Sequence, residues 1–292
     1  MGMWKNSYAV GNDLIDAQHR ELFRMSDDLV EAIRKEGQAG RDACARAVVF
    51  LKDYVVKHFA DEEALQADLG YADLVRHKKL HSDFVDTVLD YEKRLNESKF
   101  DTKIVQQFAG KLIGWLIYHV VGEDGKITGA VAARVPQIAD RATPAQFAGF
   151  FADSACEVLG QMLNIPFRVE EGAPVIGGIS DISVRVGLIG DRPGAAEFVF
   201  PLVTALRIVQ SMTMVNANDF DEMIDSALRE IANIISGNAA SKIAETGCAC
   251  DITPPKLYRG RRSLSGTGGG KSIRCELGVI TILLEDGTSA TP

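Results

Sequence analysis

His58-Phe-Ala-Asp-Glu62 sets an imidazole and a carboxylate four residues apart, and His77-Lys-Lys-Leu-His81 repeats that step with two imidazoles. Four residues make about one helical turn, so each pair projects from one face toward a common point. The other histidines are His19 and His119, and all five fall in the first two-fifths of a 292-residue chain. His119-Val-Val-Gly-Glu-Asp124 supplies a second carboxylate.

The segments carrying these residues read as four amphipathic helices. Ile15, His19, Leu22, Phe23, Ser26, Leu29 and Ile33 line the first, and Ala47, Leu51, Tyr54, Val55, His58, Glu62 and Leu65 the second. Leu74, His77, His81, Phe84, Val88, Tyr91 and Leu95 line the third; Ile104, Phe108, Leu112, Trp115, Leu116 and His119 line the fourth. Every histidine falls on a predicted buried face. Short connections at Gly37 to Arg41, Gly70-Tyr71 and Asn96 to Asp101 imply antiparallel neighbours, hence an all-α up-down four-helix bundle. Asp124, five residues past His119, is read as lying beyond the helix end, with Gly122 and Gly125 letting the chain curl back.

A single histidine on an apolar face is more often a hydrogen-bonded core residue than a ligand. Five of them beside Glu62 and Asp124 are another matter, because burying that set without a cation is costly. Five nitrogens and two carboxylates exceed what one ion needs. Two ions sharing the carboxylates fit the count, and nitrogen and oxygen donors point to iron. Glu63 is set aside, since only Glu62 stands one turn from His58.

At this point the spacing resembles bacterial hemerythrin, over residues 4 to about 128. The resemblance rests on Ile15-Asp-Ala-Gln-His19, His58-Phe-x-x-Glu62, His77-x-x-x-His81 and Trp115-Leu-x-x-His119-x-x-x-x-Asp124. It implies two non-haem iron ions, one held by His77, His81 and His119 and the other by His19 and His58. Glu62, Asp124 and a solvent-derived oxo or hydroxo group would bridge them, with O2 as the ligand. Leu22, Phe59, Trp115, Leu116 and Val120 match the apolar wall of that family's O2 pocket, and ordinary bundle core accounts for each of them equally well. Gly-Lys-Ile at 125–127 departs from the tyrosine that bacterial members often carry after the aspartate.

Composition narrows the remaining classes. Hydrophobic residues at 46% and charged residues at 25% describe a globular chain, and its length suggests two domains. A net charge of −8 and a pI near 5.2 argue against a nucleic-acid partner, which needs a Lys/Arg footprint. The longest uncharged apolar run, Leu112 to Gly122, is too short to span a bilayer, and Met-Gly-Met-Trp-Lys-Asn carries neither a signal core nor a myristoylation serine or threonine. A soluble cytoplasmic protein without a membrane partner is expected. Cys44, Cys156, Cys248, Cys250 and Cys275 form an odd set without disulfide spacing, so reduced thiols are expected; Cys248-Ala-Cys250 is a weak candidate metal pair.

Residues 129–143, small and with one proline, read as a boundary. The expected division is a bundle at 1–130, a linker at 131–143 and a second domain at 144–292. Pro144 opens a helix with Phe147, Phe151, Ala155, Val158, Leu159 and Met162 buried. Strands are predicted at Phe167 to Glu171, Ile179 to Ile189 and Ala196 to Phe200, with the turn Gly190-Asp-Arg-Pro-Gly194 joining the last two. Helices follow at Pro201 to Met214 and Asp219 to Glu245, then strands near Ala249, Leu257 and Ser272 to Leu284. The class is α+β with a mostly antiparallel sheet.

On the long helix Ile224, Leu228, Ile231 and Ile235 form the core stripe, and Ser226, Glu230, Asn233 and Gly237 recur on the opposite side. Such a stripe, taken alone, reads as a solvated face. Yet Ser226-Ala-Leu-Arg-Glu230-Ile-Ala-Asn233 is similar to the Ser/Asp-x-x-x-Glu-x-x-Asn signature of the CheC/CheX/FliY phosphatases, and the resemblance runs from about Pro144 to Asp286. A single copy is the CheX pattern. It implies a homodimer that dephosphorylates the aspartate of a CheY-like receiver, Asn233 orienting the attacking water and Glu230 anchoring the receiver's lysine. Phosphoryl transfer depends mainly on positioning and electrostatics, so an amide holding a water in line can suffice. Ser265-Gly-Thr-Gly-Gly-Gly270-Lys271-Ser272 only mimics a P-loop, because a strand pattern rather than a helix follows it.

The expected whole is an oxygen- or redox-sensing di-iron bundle fused to a receiver phosphatase. The alternative is a binding protein for O2, iron or nitric oxide whose second domain only dimerises or docks a partner.

Overall fold

The computed structural model describes residues 2–35, 37–127, 144–171, 181–214, 222–260 and 269–286. Contacts divide the chain into two compact units, residues 1–133 with 221–226, and residues 134–220 with 227–292.

The first unit is a bundle of α1 (Asp13–Arg34), α2 (Gly37–Asp68), α3 (Leu74–Glu97) and α4 (Thr102–Tyr118). Asn12 caps α1, its side-chain oxygen accepting from the backbone N–H groups of Leu14 and Ile15, both at 3.1 Å. Asp13 and Asp16 suit the positive end of that helix and Arg34 its negative end. Asp101 caps α4 by accepting from Lys103 N at 3.0 Å. α1 packs on α2 and α4, and α3 on the same two, as the up-down order requires. Phe23, Phe84, Leu95, Phe108, Leu112 and Ile113 fill the interior, and all five histidines lie among them.

Two local expectations are corrected. Gly37 to Arg41, read as a connection, forms the first turns of α2. Gly40 makes that sharp reversal feasible, since a Cβ there would stand 2.0 Å from the Lys35 carbonyl oxygen. The fourth helix also does not stop at His119. Residues His119–Asp124 form a π-helical turn, and the short helix α5 (Gly125–Ile127) follows it. A π turn bonds i to i+5 and so returns the fifth residue to the face of the first, which a chain curling past a helix end need not do.

The second unit is α+β. α6 (Pro144–Leu163), α7 (Leu202–Thr213) and, from Ala227 on, α8 (Glu222–Glu245) accompany a sheet of β1 (Arg168–Val169), β2 (Ile182–Gly190), β3 (Gly194–Phe200), β4 (Cys250–Ile252), β5 (Lys256–Arg259), β6 (Gly270–Cys275) and β7 (Gly278–Asp286). The sheet order is β1-β6-β7-β3-β2-β4, β5 also pairs β2, and every pairing is antiparallel. Register sets Val184 opposite Phe198 and Phe198 opposite Ile282, all three fully buried, so alternate residues of the central strands form the core. α6 packs on β6 and β7, with Phe147, Phe151, Ala155, Val158, Leu159 and Met162 buried as expected.

The stretch Ser272 to Leu284 resolves into a hairpin. It turns at Glu276-Leu277, and Gly278, which opens β7 opposite Cys275, has a φ of 143° that only glycine adopts without strain. Lys271 and Ser272 of the P-loop-like run belong to strand β6, whereas 265–268 lie outside the described residues, as do the predicted linker 131–143 and the first residues of the predicted long helix, 219–221.

Candidate functional site

The bundle interior gathers all seven predicted ligands. His19, His58, Glu62, His77 and Asp124 are 0% exposed, His119 1% and His81 2%. Their donor atoms form two groups. Glu62, His77, His81 and His119 make one; His19, His58, Glu62 and Asp124 make the other; within each, the atoms lie inside 4.8 Å of one another. Glu62 is common to both. Its Oε1 stands 2.9 Å from His77 Nε2, and its Oε2 is 3.4 Å from His81 and 3.7 Å from His58. Asp124 also spans the divide: Oδ2 is 3.1 Å from His19 Nε2, while Oδ1 is 3.1 Å from His119 and 3.3 Å from His77.

These separations suit donors around shared ions. Two ligands at right angles about 2.1 Å from one metal stand roughly 3 Å apart. The Nε2 atoms of His19, His58 and His77, Glu62 Oε2 and both Asp124 oxygens are buried without an aligned hydrogen bond, despite those short distances. Atoms this close that do not bond one another are satisfied by a cation between them. The residues therefore fit a metal pair.

Outer partners set the tautomers, and the sequence reading passed over them. His58 Nδ1 donates to Gln18 Oε1 at 3.0 Å, and Gln18 Nε2 donates to Asp61 Oδ2 at 2.6 Å. His81 Nδ1 donates to Glu63 Oε1 at 2.9 Å, with Lys78 Nζ 3.2 Å from the other Glu63 oxygen. Each bond leaves Nε2 facing inward as an acceptor, that of His81 3.0 Å from His119 Nε2. Glu63, set aside in the sequence as a neighbour of Glu62, holds the His81 ring in place. Gln66, fully buried, donates from Nε2 to Glu62 Oε1.

Beside Asp124, buried Glu123 accepts from Tyr118 Oη at 2.7 Å, from Lys126 Nζ at 3.1 Å and from Arg76. Arg76 precedes His77 as Glu123 precedes Asp124, so the ion pair ties α3 to the π turn next to the two ligands.

Protonation follows from burial set against partners. Burial, reinforced by His19, pushes His58 down to about 3. Burial alone would lower His77 as well, but Asp124 and Glu62 lift it to about 9. Burial opposes ionisation of Glu62, yet contacts from His119, His77 and His81 hold it well below the usual carboxylate range. Asp124 is brought to about 2 against burial and the Glu62 charge, by His119, His19 and His77. Both carboxylates are thus charged donors at neutral pH.

The predicted apolar wall divides. Phe59 stacks on His81 at 3.8 Å between centroids, and half-buried Trp115 stacks on His119 at 4.2 Å. Leu22, Leu116 and Val120 are buried in the bundle.

In the second unit Glu230 and Asn233 lie about one turn apart on α8. Glu230 is 3% exposed and Ser226 8%, so the stripe is not the solvated face that its polarity suggested; Asn233 and Gly237 are half-buried. Ala227, Leu228, Ile231, Ala232 and Ile235 are all fully buried, which makes α8 a helix covered on more than one side. A Cβ at Gly237 would meet no atom within 4 Å. Cys248 and Cys250 are free and half-buried, and burial pushes the Cys250 thiol up to about 11. Among the described residues they join no metal-ligating cluster.

These features define a metal-binding helical bundle joined to an α+β domain. Comparison with known proteins agrees. Residues 10–131 match the hemerythrin HHE cation binding domain, and residues 182–276 match the chemotaxis phosphatase CheX family. A bacteriohemerythrin from Clostridium acetobutylicum is 30% identical over 126 residues, 42% of this chain and 96% of that protein. Among solved structures, CheX from Vibrio vulnificus is 23% identical with a TM-score of 0.44, over 50% of this chain and 99% of that one. A CheX-CheY-BeF3-Mg complex from Borrelia burgdorferi gives 28% identity and a TM-score of 0.41, over 48% of this chain and 97% of that one. The chain belongs to the hemerythrin family through its first half and carries a CheX domain in its second.

Proposed function

We propose that the bundle holds two non-haem iron ions on His19, His58, Glu62, His77, His81, His119 and Asp124 and uses them to sense O2 or redox state. The CheX domain then dephosphorylates the aspartate of a CheY-like receiver under that control. The observation that carries the metal reading is the convergence of buried donor atoms that bond one another poorly. Bound there, the iron pair supplies reversible O2 binding and one-electron redox chemistry.

The chain's own residues do the rest. Gln18 and Glu63 fix two imidazoles with Nε2 inward, and Glu62 and Asp124 reach both halves of the site. Phe59 and Trp115 cover His81 and His119, and with Leu22, Leu116 and Val120 they exclude water from the O2 side. On α8 the half-buried Asn233 amide orients the attacking water, Glu230 pairs with the receiver's lysine, and the open space at Gly237 admits the receiver's backbone. The CheX-family match over residues 182–276, which includes both side chains, supports this reading. The CheX domain pairs as a homodimer, and the protein works in the cytoplasm. No helix among the described residues is long and apolar enough to cross a membrane.

The test is dephosphorylation of one phosphorylated receiver with the bundle reduced, oxygenated and oxidised. Rates are expected to differ among the three states, and equal rates reject the sensor. Asn233→Ala should slow the reaction ~100-fold or more, as removal of a water-positioning or charge-stabilising group does; an unchanged rate rejects the catalytic assignment. Reconstitution should give about two irons per chain. Burial of Glu230 favours one second reading, in which the bundle binds O2, iron or nitric oxide and the CheX domain only docks a partner. That reading predicts retained iron with no phosphatase activity in any state.

A further inference from the structure

Gln18 and Glu63 each reach one imidazole, and so act on one half of the metal centre. Gln66 reaches Glu62, the one residue common to both donor groups. It sits one turn beyond Glu62 on α2 and is fully buried, and its Oε1 has no hydrogen-bond partner. Methionine or leucine would fill this position without a stranded acceptor, so the buried amide is costly except for what its N–H does. The amide orientation is fixed chemically, because the other one would set its carbonyl oxygen against a carboxylate oxygen.

A hydrogen bond donated to a carboxylate draws electron density from it and makes it a weaker metal donor. Weaker donors favour the lower of two metal oxidation states. We infer that Gln66 is a positioning residue that biases the centre toward its reduced form, through a carboxylate that both ions would share. The inference rests on the two-iron reading given above. Where Glu63 strengthens one histidine as a donor and so favours the oxidised form, Gln66 works against it on the shared ligand.

The experiment uses the full-length chain loaded with iron, as wild type, Gln66→Met and Gln66→Leu. Midpoint potentials are measured by spectroelectrochemistry, together with the rate of oxidation in air. The potential is read on the iron-containing fraction, so a variant that loads poorly still reports. Both variants are expected to shift the equilibrium toward the oxidised form about tenfold, a potential lower by roughly 59 mV for one electron, and to oxidise faster. An unchanged potential in Gln66→Met overturns the inference. So does a shift in Gln66→Leu alone, which would assign the effect to packing, or an upward shift in either. A wild-type protein that holds fewer than two irons overturns the metal reading itself, before any variant is compared.

Discussion

His81 keeps its inward nitrogen bare because Glu63 accepts the proton on the other side of the ring. Removing that acceptor frees the ring to turn away from the donor cluster. Glu63→Ala should therefore weaken cobalt(II) binding ~10- to 100-fold, the usual cost of losing such a partner. Lys78→Ala should change it less than about threefold, since Lys78 is half exposed and its pairing with Glu63 is screened. Equal losses in the two variants would count against the orienting role. The seven side chains that the fold gathers were legible in the sequence, because histidine is scarce here and pairs recur at one-turn spacing. Their outer partners were not. Gln18, Asp61 and Glu63 have the composition of any solvated helix face, and only the fold brings them against imidazoles. Gln66 alone left a trace, extending the step from His58 to Glu62 by four more residues.

At the level of single elements, the π turn decides where Asp124 points, and Glu123 pins it. Burial resists ionisation of Glu123, but Lys126, Arg76 and Tyr118 hold its carboxyl down to about 2. A carboxylate with a depressed folded pKa adds stability above its unfolded value, near 4.5, and that contribution fades as pH falls toward 2. Glu123→Gln should cost about 3 kcal/mol at pH 7 by urea denaturation of the metal-free protein, and progressively less below pH 4.5. A cost that does not vary with pH would mean that shape, not charge, pins the turn. The sequence could not reveal this geometry, since Gly122 and Gly125 look like a helix end. Strand positions in the second unit were easier, because alternation from Ile182 to Leu188 matches one buried face. The hairpin through Glu276-Leu277 was read as one continuous stretch because its two-residue turn carries only one glycine beside it, Gly278, among apolar neighbours.

On the scale of the molecule, each unit has an interior of its own, around Phe108 and Ile113 in one and Phe151, Phe198 and Phe200 in the other. Calorimetry should accordingly resolve two transitions. Metal at a hundredfold excess over its dissociation constant should raise the bundle transition by about 2.7 kcal/mol and leave the other in place. Gly278→Ala should do the reverse, because a Cβ there would stand 2.1 Å from Thr204 Oγ1 in an already positive-φ position. One transition that moves under both treatments would reject independent cores. Two domains were suggested by chain length and by the small residues and single proline of 129–143, and that boundary segment lies outside the described residues.

The π turn also makes the metal site depend on counting. Between His119 and Asp124 the chain carries one residue more than an α-helical turn needs. Deleting Val121 would leave all seven ligands in the sequence and would return the segment to ordinary helical winding. Asp124 would then follow His119 by four residues, the one-turn step of His58 to Glu62, so five residues in a π turn and four in an α turn are the two lengths that keep this pair on one face.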